Sequence, residues 1–254
     1  MRLFWLDYVA TWRERKVWVA AGLFLYAVLA MPPLLARPPP HIASAVETWF
    51  GTADPFAMFM YVWTDLALNK LIAIVAVVLA GGVITRERDL QILPVLMAKP
   101  VNISRYFFIK ALSASAVMAT LYVGAHVLAA PYFSFAVRGF RAAPFFASMA
   151  LHVWAAIFAT ALCATLAVTI QKRAASSLGS LLLLMTLIGA SFAGFYNPAW
   201  RNAALFNPFA LAIEAVGHLR DLQVSHVVAP MVALVLMSAV MLALGGAAAR
   251  RVEV

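Results

Sequence analysis

The chain has 254 residues, 65% of them hydrophobic and only 11% charged, with a mean hydropathy of +0.92. That apolar share lies far above the range of ordinary soluble domains and excludes one. The formal charge of +9 and pI near 10.1 would suggest nucleic acid in a soluble protein, but most Lys and Arg stand at the ends of apolar runs, where retention of cations on the cytoplasmic side of a membrane accounts for them. Nucleic acid is therefore not expected as a partner.

Crossing about 30 Å of hydrocarbon takes about 20 apolar residues per helix, and six runs of that kind can be marked out. The expectation is an all-α polytopic membrane protein with six transmembrane helices in a single domain, residues 1–254. Residues 2–16 mix Leu3, Phe4, Leu6, Tyr8 and Trp12 with Arg2, Asp7, Arg13, Glu14, Arg15 and Lys16, a pattern for an amphipathic helix lying at the interface. The first span follows at 17–36; its apolar run is too long for the core of a signal peptide. Pro38, Pro39 and Pro40 open an outer connection running to about residue 55, with Trp49 and Phe50 as interfacial aromatics.

The second span is expected at about 59–85 and carries Asp65, Asn69 and Lys70. Polar side chains inside a span are costly and often line a bundle interior or water path, so these three are translocation-path candidates. The competing reading puts them at the outer interface, with Asp65 paired to a snorkelling Lys70. Residues 86–110 then form a basic segment between two apolar runs, broken by Pro94 and Pro100. The third span is expected at 108–130, ending at Pro131, and the fourth at 144–170, where His152 reads as a packed interior or interfacial histidine rather than a metal ligand.

The fifth span, 174–196, contains Ser176, Ser177, Gly179, Ser180, Gly189, Ser191 and Gly194, small residues that let a neighbouring helix approach; Ser180 joins the path candidates. An outer segment, 197–226, includes a stretch from Asn207 that is too short and too polar to span. It reads as a re-entrant or surface helix capped by Asn207 with Pro208 in its first turn. The sixth span, 227–249, ends at Arg250 and Arg251. Six spans put both termini on one side, and the bias of Lys and Arg makes that side cytoplasmic.

Recognisable catalytic chemistry is missing. No Gly-rich phosphate loop, Gly-x-Ser-x-Gly, His-Glu-x-x-His or Cys-x-x-Cys occurs, so the chain is not expected to hydrolyse ATP itself, and no catalytic or metal residues are assigned. Cys163 is the single cysteine and can form no intrachain disulfide.

Residues 84–112, ITRERDLQILPVLMAKPVNISRYFFIKAL, resemble the junction after the second span in permeases of type-2 ABC exporters: an acidic-basic start, a Leu-rich short helix, a proline, a Ser-Arg pair and a Lys entering the next span. Glu87, Arg88, Leu90, Leu93, Pro100, Ser104, Arg105 and Lys110 fill those positions, with Asp89 and Leu90 where the family usually has Gly-Thr. The Asn207-Pro208 pair before the last span is similar to that class too. The resemblance implies a cytoplasmic coupling helix between spans 2 and 3, with Glu87, Arg88, Leu90, Leu93, Leu96, Pro100 and Arg105 as its contacts to a partner ATPase. It implies an exporter of two permease chains, identical or close paralogues, and a cytoplasmic ABC ATPase dimer that holds ATP and Mg, this chain binding no cofactor. Membrane lipid is a further partner, and an extracytoplasmic accessory protein is left open. The inner membrane is the implied location. Two other classes stand beside this reading. One is an intramembrane enzyme using Asp65, Lys70 and His152, or Glu214 and His218 one helical turn apart. The other is a non-transporting membrane scaffold.

Overall fold

The computed structural model describes residues 2–36, 40, 44, 47–48, 54–90, 92, 102–193 and 197–252. Among them there are helices and turns and no strand. In chain order the helices are α1 (Arg2–Trp12), α2 (Arg15–Ala36), α3 (Pro55–Val62), a π-helical segment (Trp63–Asn69), α4 (Lys70–Ala80), α5 (Thr85–Asp89), α6 (Ile103–Ala136), α7 (Ala142–Ile170), α8 (Arg173–Ser191), α9 (Arg201–Ala204), α10 (Pro208–Ala212), α11 (Glu214–Gly217) and α12 (Ser225–Ala249). Six helical stretches are long and apolar enough to cross a membrane: α2, the run from α3 to α5, α6, α7, α8 and α12.

Helix α7 is the centre of the bundle, packed by α4, α6, α8, α10, α11 and α12. Its sequence explains the position, because Ala155, Ala156, Ala159, Ala161, Ala164 and Ala167 are all buried and leave a narrow helix that neighbours can approach from every side. Apolar burial alone drives little association between helices in lipid, so close packing and interhelical hydrogen bonds carry it. Two such bonds tie α12 down: Thr165 Oγ1 donates to the Met241 carbonyl at 2.9 Å and Ser104 Oγ to the Gly246 carbonyl at 2.7 Å. Between them, a Cβ on Gly245 would stand 2.3 Å from Phe107 and one on Gly246 2.6 Å from Phe108. In the fifth span the close approach expected from its small residues is made by the serines, Ser176 Oγ donating to the Gly81 carbonyl at 3.4 Å and Ser177 Oγ standing 2.9 Å from where a Cβ on Gly81 would be. It is not made by Gly189, which has nothing within 4 Å of where a Cβ would stand, or by Gly179, which meets only Ile170 at 3.6 Å; Gly194 lies outside the described residues.

Two ends of the bundle are distinct. The basic end carries Lys16, Arg86, Lys110 and Arg173 around one cavity. The opposite end is clasped by Arg141, which donates to Asp54 Oδ2 at 2.9 Å and to the Leu219 carbonyl at 3.2 Å while lying over the Phe56 ring. Asp54 also caps α3, accepting from the Phe56 amide. Inward of that clasp, Phe56, Phe59, Trp63, Phe133, Phe140 and Phe145 form a ring cluster that reaches His126. There the Trp63 indole donates to His126 Nε2 at 3.2 Å, and Nδ1 faces the Tyr122 carbonyl at 2.9 Å.

Several helix limits differ from those expected. The second span starts at Pro55 rather than 59. The third starts at Ile103 rather than 108 and runs through Pro131 to Ala136, because the helix continues past the lost proline hydrogen bond where packing of Phe133 holds it. Asn207 caps α10 as expected, accepting from the Phe209 amide at 3.0 Å with Pro208 in the first turn. The expected single helix there is broken at Ile213 into α10 and α11, and Phe209, Leu211, Ala212 and Ala215 are buried. Asn207 Nδ2 donates to the Leu187 carbonyl at 2.7 Å and anchors this turn to α8.

Candidate functional site

The site is built at the basic end, where α4 finishes. After Ala80 the chain turns through Gly81 and Gly82 to Ile84, which holds φ 67° and ψ −43° while buried. For a β-branched residue this is a strained conformation of a kind that persists where the surroundings enforce it. The turn re-aims the chain into the short helix α5, whose N-cap is Ile84 itself.

Three consecutive side chains of α5 then brace three different elements. Arg86 reaches Glu14, in the link between α1 and α2, at 3.3 Å; Glu14 also meets Lys16 at 3.1 Å. Glu87 accepts from the Tyr106 hydroxyl at 3.2 Å and pairs with Lys110 at 3.4 Å, both on α6. Lys110 continues to Asp7 of α1 at 2.8 Å. Arg88 donates to Gln171 Oε1 at 2.7 Å. Gln171 is the left-handed C-cap of α7, φ 57°, so the same residue ends the central helix and holds α5. Helix α1 is itself fixed to α6, through Tyr8 and Thr120 hydroxyls 3.1 Å apart and Ser113 Oγ donating to the Phe4 carbonyl at 3.4 Å.

Of the residues expected to meet an ATPase, Glu87 and Arg88 thus have intramolecular partners. Leu90 is 58% exposed beside them. Arg105 is exposed in the first turn of α6, where its amide donates to the Asn102 cap at 3.2 Å. Leu93, Leu96 and Pro100 lie outside the described residues. Lys110, Tyr106, Gln171, Glu14 and Asp7 complete the network; the sequence pattern names Lys110, Asp7 and Glu14 without pairing them, and gives Tyr106 and Gln171 no role. An acid or base far along the chain from its partner carries no local signal, and Gln171 is recognisable only as a polar residue at a helix end.

The path candidates are separated by the π-helical segment. Its wider turn brings residues five apart into register, so Asp65 meets Lys70 at 4.0 Å, with side chains 18% and 44% exposed. Asn69, expected on the same face as Asp65, is instead fully buried, and its amide has no hydrogen-bond partner among the described residues. The Ser180 hydroxyl is likewise buried without one. Asp65 lies ten residues after Pro55, about 15 Å along a helix axis.

Of the groups with acid-base potential, His152 is fully buried with Nδ1 2.9 Å from the Ser148 carbonyl. Glu214 and His218 do meet, at 3.4 Å, with Asp221 on the other ring nitrogen at 3.3 Å and His226 stacked on the ring. This is a half-exposed surface cluster, and among the described residues no group of three or more His, Cys, Asp or Glu is arranged to hold a metal ion. A scan against protein-family models and a search of curated proteins found no match for the chain.

Proposed function

We propose that this chain is the membrane-spanning permease of an ABC-type exporter, and that α5 with the residues following it is the element through which a separate ATPase pushes the bundle. The observation that carries this reading is the bracing of α5. Arg86, Glu87 and Arg88 connect one short helix at once to the α1–α2 link, to α6 and to α7, so a force on α5 is delivered to three parts of the bundle together. A lever needs that stiffness, and a loop resting on lipid headgroups does not. Leu90, exposed next to this braced helix, offers an apolar side chain to a groove on the partner, and Leu93 and Leu96 are assigned to the same contact from the sequence pattern. Glu87 and Arg88 serve the lever from inside by holding it to the bundle, while Arg105 stays at the rim.

In this reading the basic end faces the cytoplasm of a bacterial inner membrane, α1 lies at that interface, and α10 and α11 re-enter the bundle from the opposite side. ATP and Mg belong to the partner ATPase dimer. The half-exposed Asp65–Lys70 pair supports a second permease copy. An ion pair left facing lipid at hydrocarbon depth is expensive, and a second copy would turn that face into a polar path, with Asn69 and Ser180 behind it.

Copurification tests the proposal. Solubilised under mild conditions, the chain should bring with it a nucleotide-hydrolysing subunit whose turnover depends on the permease. Disrupting Leu90, Leu93 and Leu96 together should abolish association while the bundle keeps its melting temperature. Association and stimulated turnover that survive this triple change would overturn the coupling assignment.

A further inference from the structure

Helix α2 has two distinct faces. Val17, Ala20, Phe24, Ala27, Val28 and Met31 are buried, and the helix packs on α6 and α4. On the other side Trp18, Gly22, Leu25, Tyr26 and Leu29 are exposed, and Trp18, Gly22, Leu25 and Leu29 follow the alternating spacing of a helix–helix seam.

Other free faces of the bundle suit lipid. That of α12 carries Val228, Val232, Leu236, Val240 and Leu244, hydrocarbon throughout. Exposed hydroxyls elsewhere are satisfied by their own helices, Thr120 donating to the Ala116 carbonyl at 2.8 Å and Thr186 to the Leu182 carbonyl at 2.9 Å. The free face of α2 departs from this at two places. Tyr26 is 72% exposed, and its hydroxyl has no hydrogen-bond partner among the described residues. It stands at the middle of the 22-residue helix Arg15–Ala36, about 15 Å from either end, so the ring cannot carry its hydroxyl out to a headgroup. A phenol is also too long to return that hydroxyl to its own backbone. One turn earlier, Gly22 has nothing within 4 Å of where a Cβ would stand. Glycine inside a helix costs stability relative to alanine, and no packing among the described residues uses the space it leaves.

A hydroxyl facing hydrocarbon without an acceptor is costly, and a bare stretch of helix lets another helix approach closely. The face therefore carries both halves of one contact: a donor and, a turn away, backbone carbonyls that no side chain covers. A surface holding both halves is self-complementary, as a two-fold axis requires. We propose that a second copy of this chain docks on this face, the two α2 helices crossing in parallel at Gly22. Helical side chains lean toward the N-terminus, so each Tyr26 hydroxyl comes level with Gly22 of the other copy and donates to a backbone carbonyl there, while Trp18, Leu25 and Leu29 pack to either side. An acyl chain offers no acceptor at this depth, and a helix of another protein would have to supply both halves independently. This deepens the reading above by naming the helix between two copies. It rests on that reading for the crossing of a membrane by α2 and not for the ATPase.

The full chain is expressed without any ATPase. In its membranes, cysteines replacing Trp18, Gly22, Leu25 or Leu29 one at a time in a Cys163→Ser background should form disulfide-linked dimers on mild oxidation, most readily at Gly22, where the backbones come within disulfide reach. Cysteines replacing Ala20 or Ala27 on the buried face, or Leu236 on α12, should form none. The otherwise unaltered chain, carrying one fluorophore and diluted into liposomes, should bleach in two steps. Tyr26→Phe should weaken the association about threefold, the worth of one interhelical hydrogen bond in lipid, and Gly22→Ile at least tenfold. Gly22 faces open space, so Gly22→Ile should leave the melting temperature of the single chain unchanged, which separates lost docking from lost folding. Single-step bleaching at every protein-to-lipid ratio, dimers indifferent to Gly22→Ile, or disulfides as strong from Ala20 and Leu236 as from Gly22 would overturn the proposal. Dimers in a chain that never copurifies with an ATPase would uphold it while removing the coupling reading, and an ATPase bound to a chain present in one copy would do the reverse.

Discussion

Replacing Glu87 by glutamine removes one charge and almost no volume, and the structure sets what this should cost. At 3.4 Å from Lys110, a pair of unit charges in an effective dielectric of 20 attracts by about 5 kcal/mol. Most of that is not recovered as stability. Both side chains keep some exposure, 17% for Glu87 and 28% for Lys110, and Lys110 retains Asp7 at 2.8 Å as a nearer partner. The Tyr106 hydroxyl can still donate to the amide oxygen. Between the worth of an exposed pair and that of breaking a buried one, the expected loss is about 1–2 kcal/mol, or a fall in melting temperature of about 2–8 °C for a domain of this size. Thermal unfolding of the purified chain measures it. In a Lys110→Met background the same change should cost nearly nothing, because the interaction it removes is already gone. Under the proposed function, Glu87→Gln should also weaken the response of the partner ATPase while leaving the two subunits associated, since α5 would stay attached to the ATPase but be loosened from the bundle. Equal losses from Glu87→Gln in both backgrounds would refute the reasoning, because the Glu87–Lys110 pair would then contribute nothing to holding α5 to α6.

Two further outcomes follow from other parts of the structure. Gly245→Ala places a methyl 2.3 Å from Phe107 and 2.6 Å from Thr165 Oγ1; such overpacking costs about 1–3 kcal/mol and should lower the melting temperature, whereas Gly189→Ala, with open space around it, should not. Asp65→Leu leaves Lys70 without its partner and should destabilise by about 1–3 kcal/mol; adding Lys70→Leu should restore stability but not, under the proposed function, stimulation of the partner ATPase, a split that unfolding and turnover assays on the same preparations resolve.

The six apolar runs were legible because each is long enough to span and is closed by charges or a cap, as at Lys16, Lys172 and Arg250. The Asn207-Pro208 cap was legible for a local reason: a side chain and a backbone amide two residues apart decide it. What escaped sequence reasoning depends on geometry set elsewhere. The Asp65–Lys70 pair was one of the two readings the sequence offered, but not the π-helical register that turns Asn69 inward, where a regular helix would have put Asp65 and Asn69 together. Ile84 gives no sign of a positive φ, since its conformation is imposed by the packing around it. Gly245 and Gly246 look like any other small pair, and only the two phenylalanines of α6 give them their role. For the candidate site, Glu87 and Arg88 stood out as charges between apolar runs, but their partners Lys110, Tyr106 and Gln171 lie 19 to 83 residues away.

The central claim is that a braced helix between the second and third spans receives a push from an ATPase, and a crosslink tests it most directly. Cys163 is the chain's one cysteine and is fully buried, so a Leu90→Cys variant in a Cys163→Ser background carries a single reactive thiol at the exposed end of α5. Treated in native membranes with a short bifunctional reagent, it should yield one dominant adduct joining the permease to a nucleotide-hydrolysing subunit, formed from the cytoplasmic side and altered by nucleotide. Labelling of the introduced thiol from the opposite compartment, or adducts that contain no such subunit, would contradict the account.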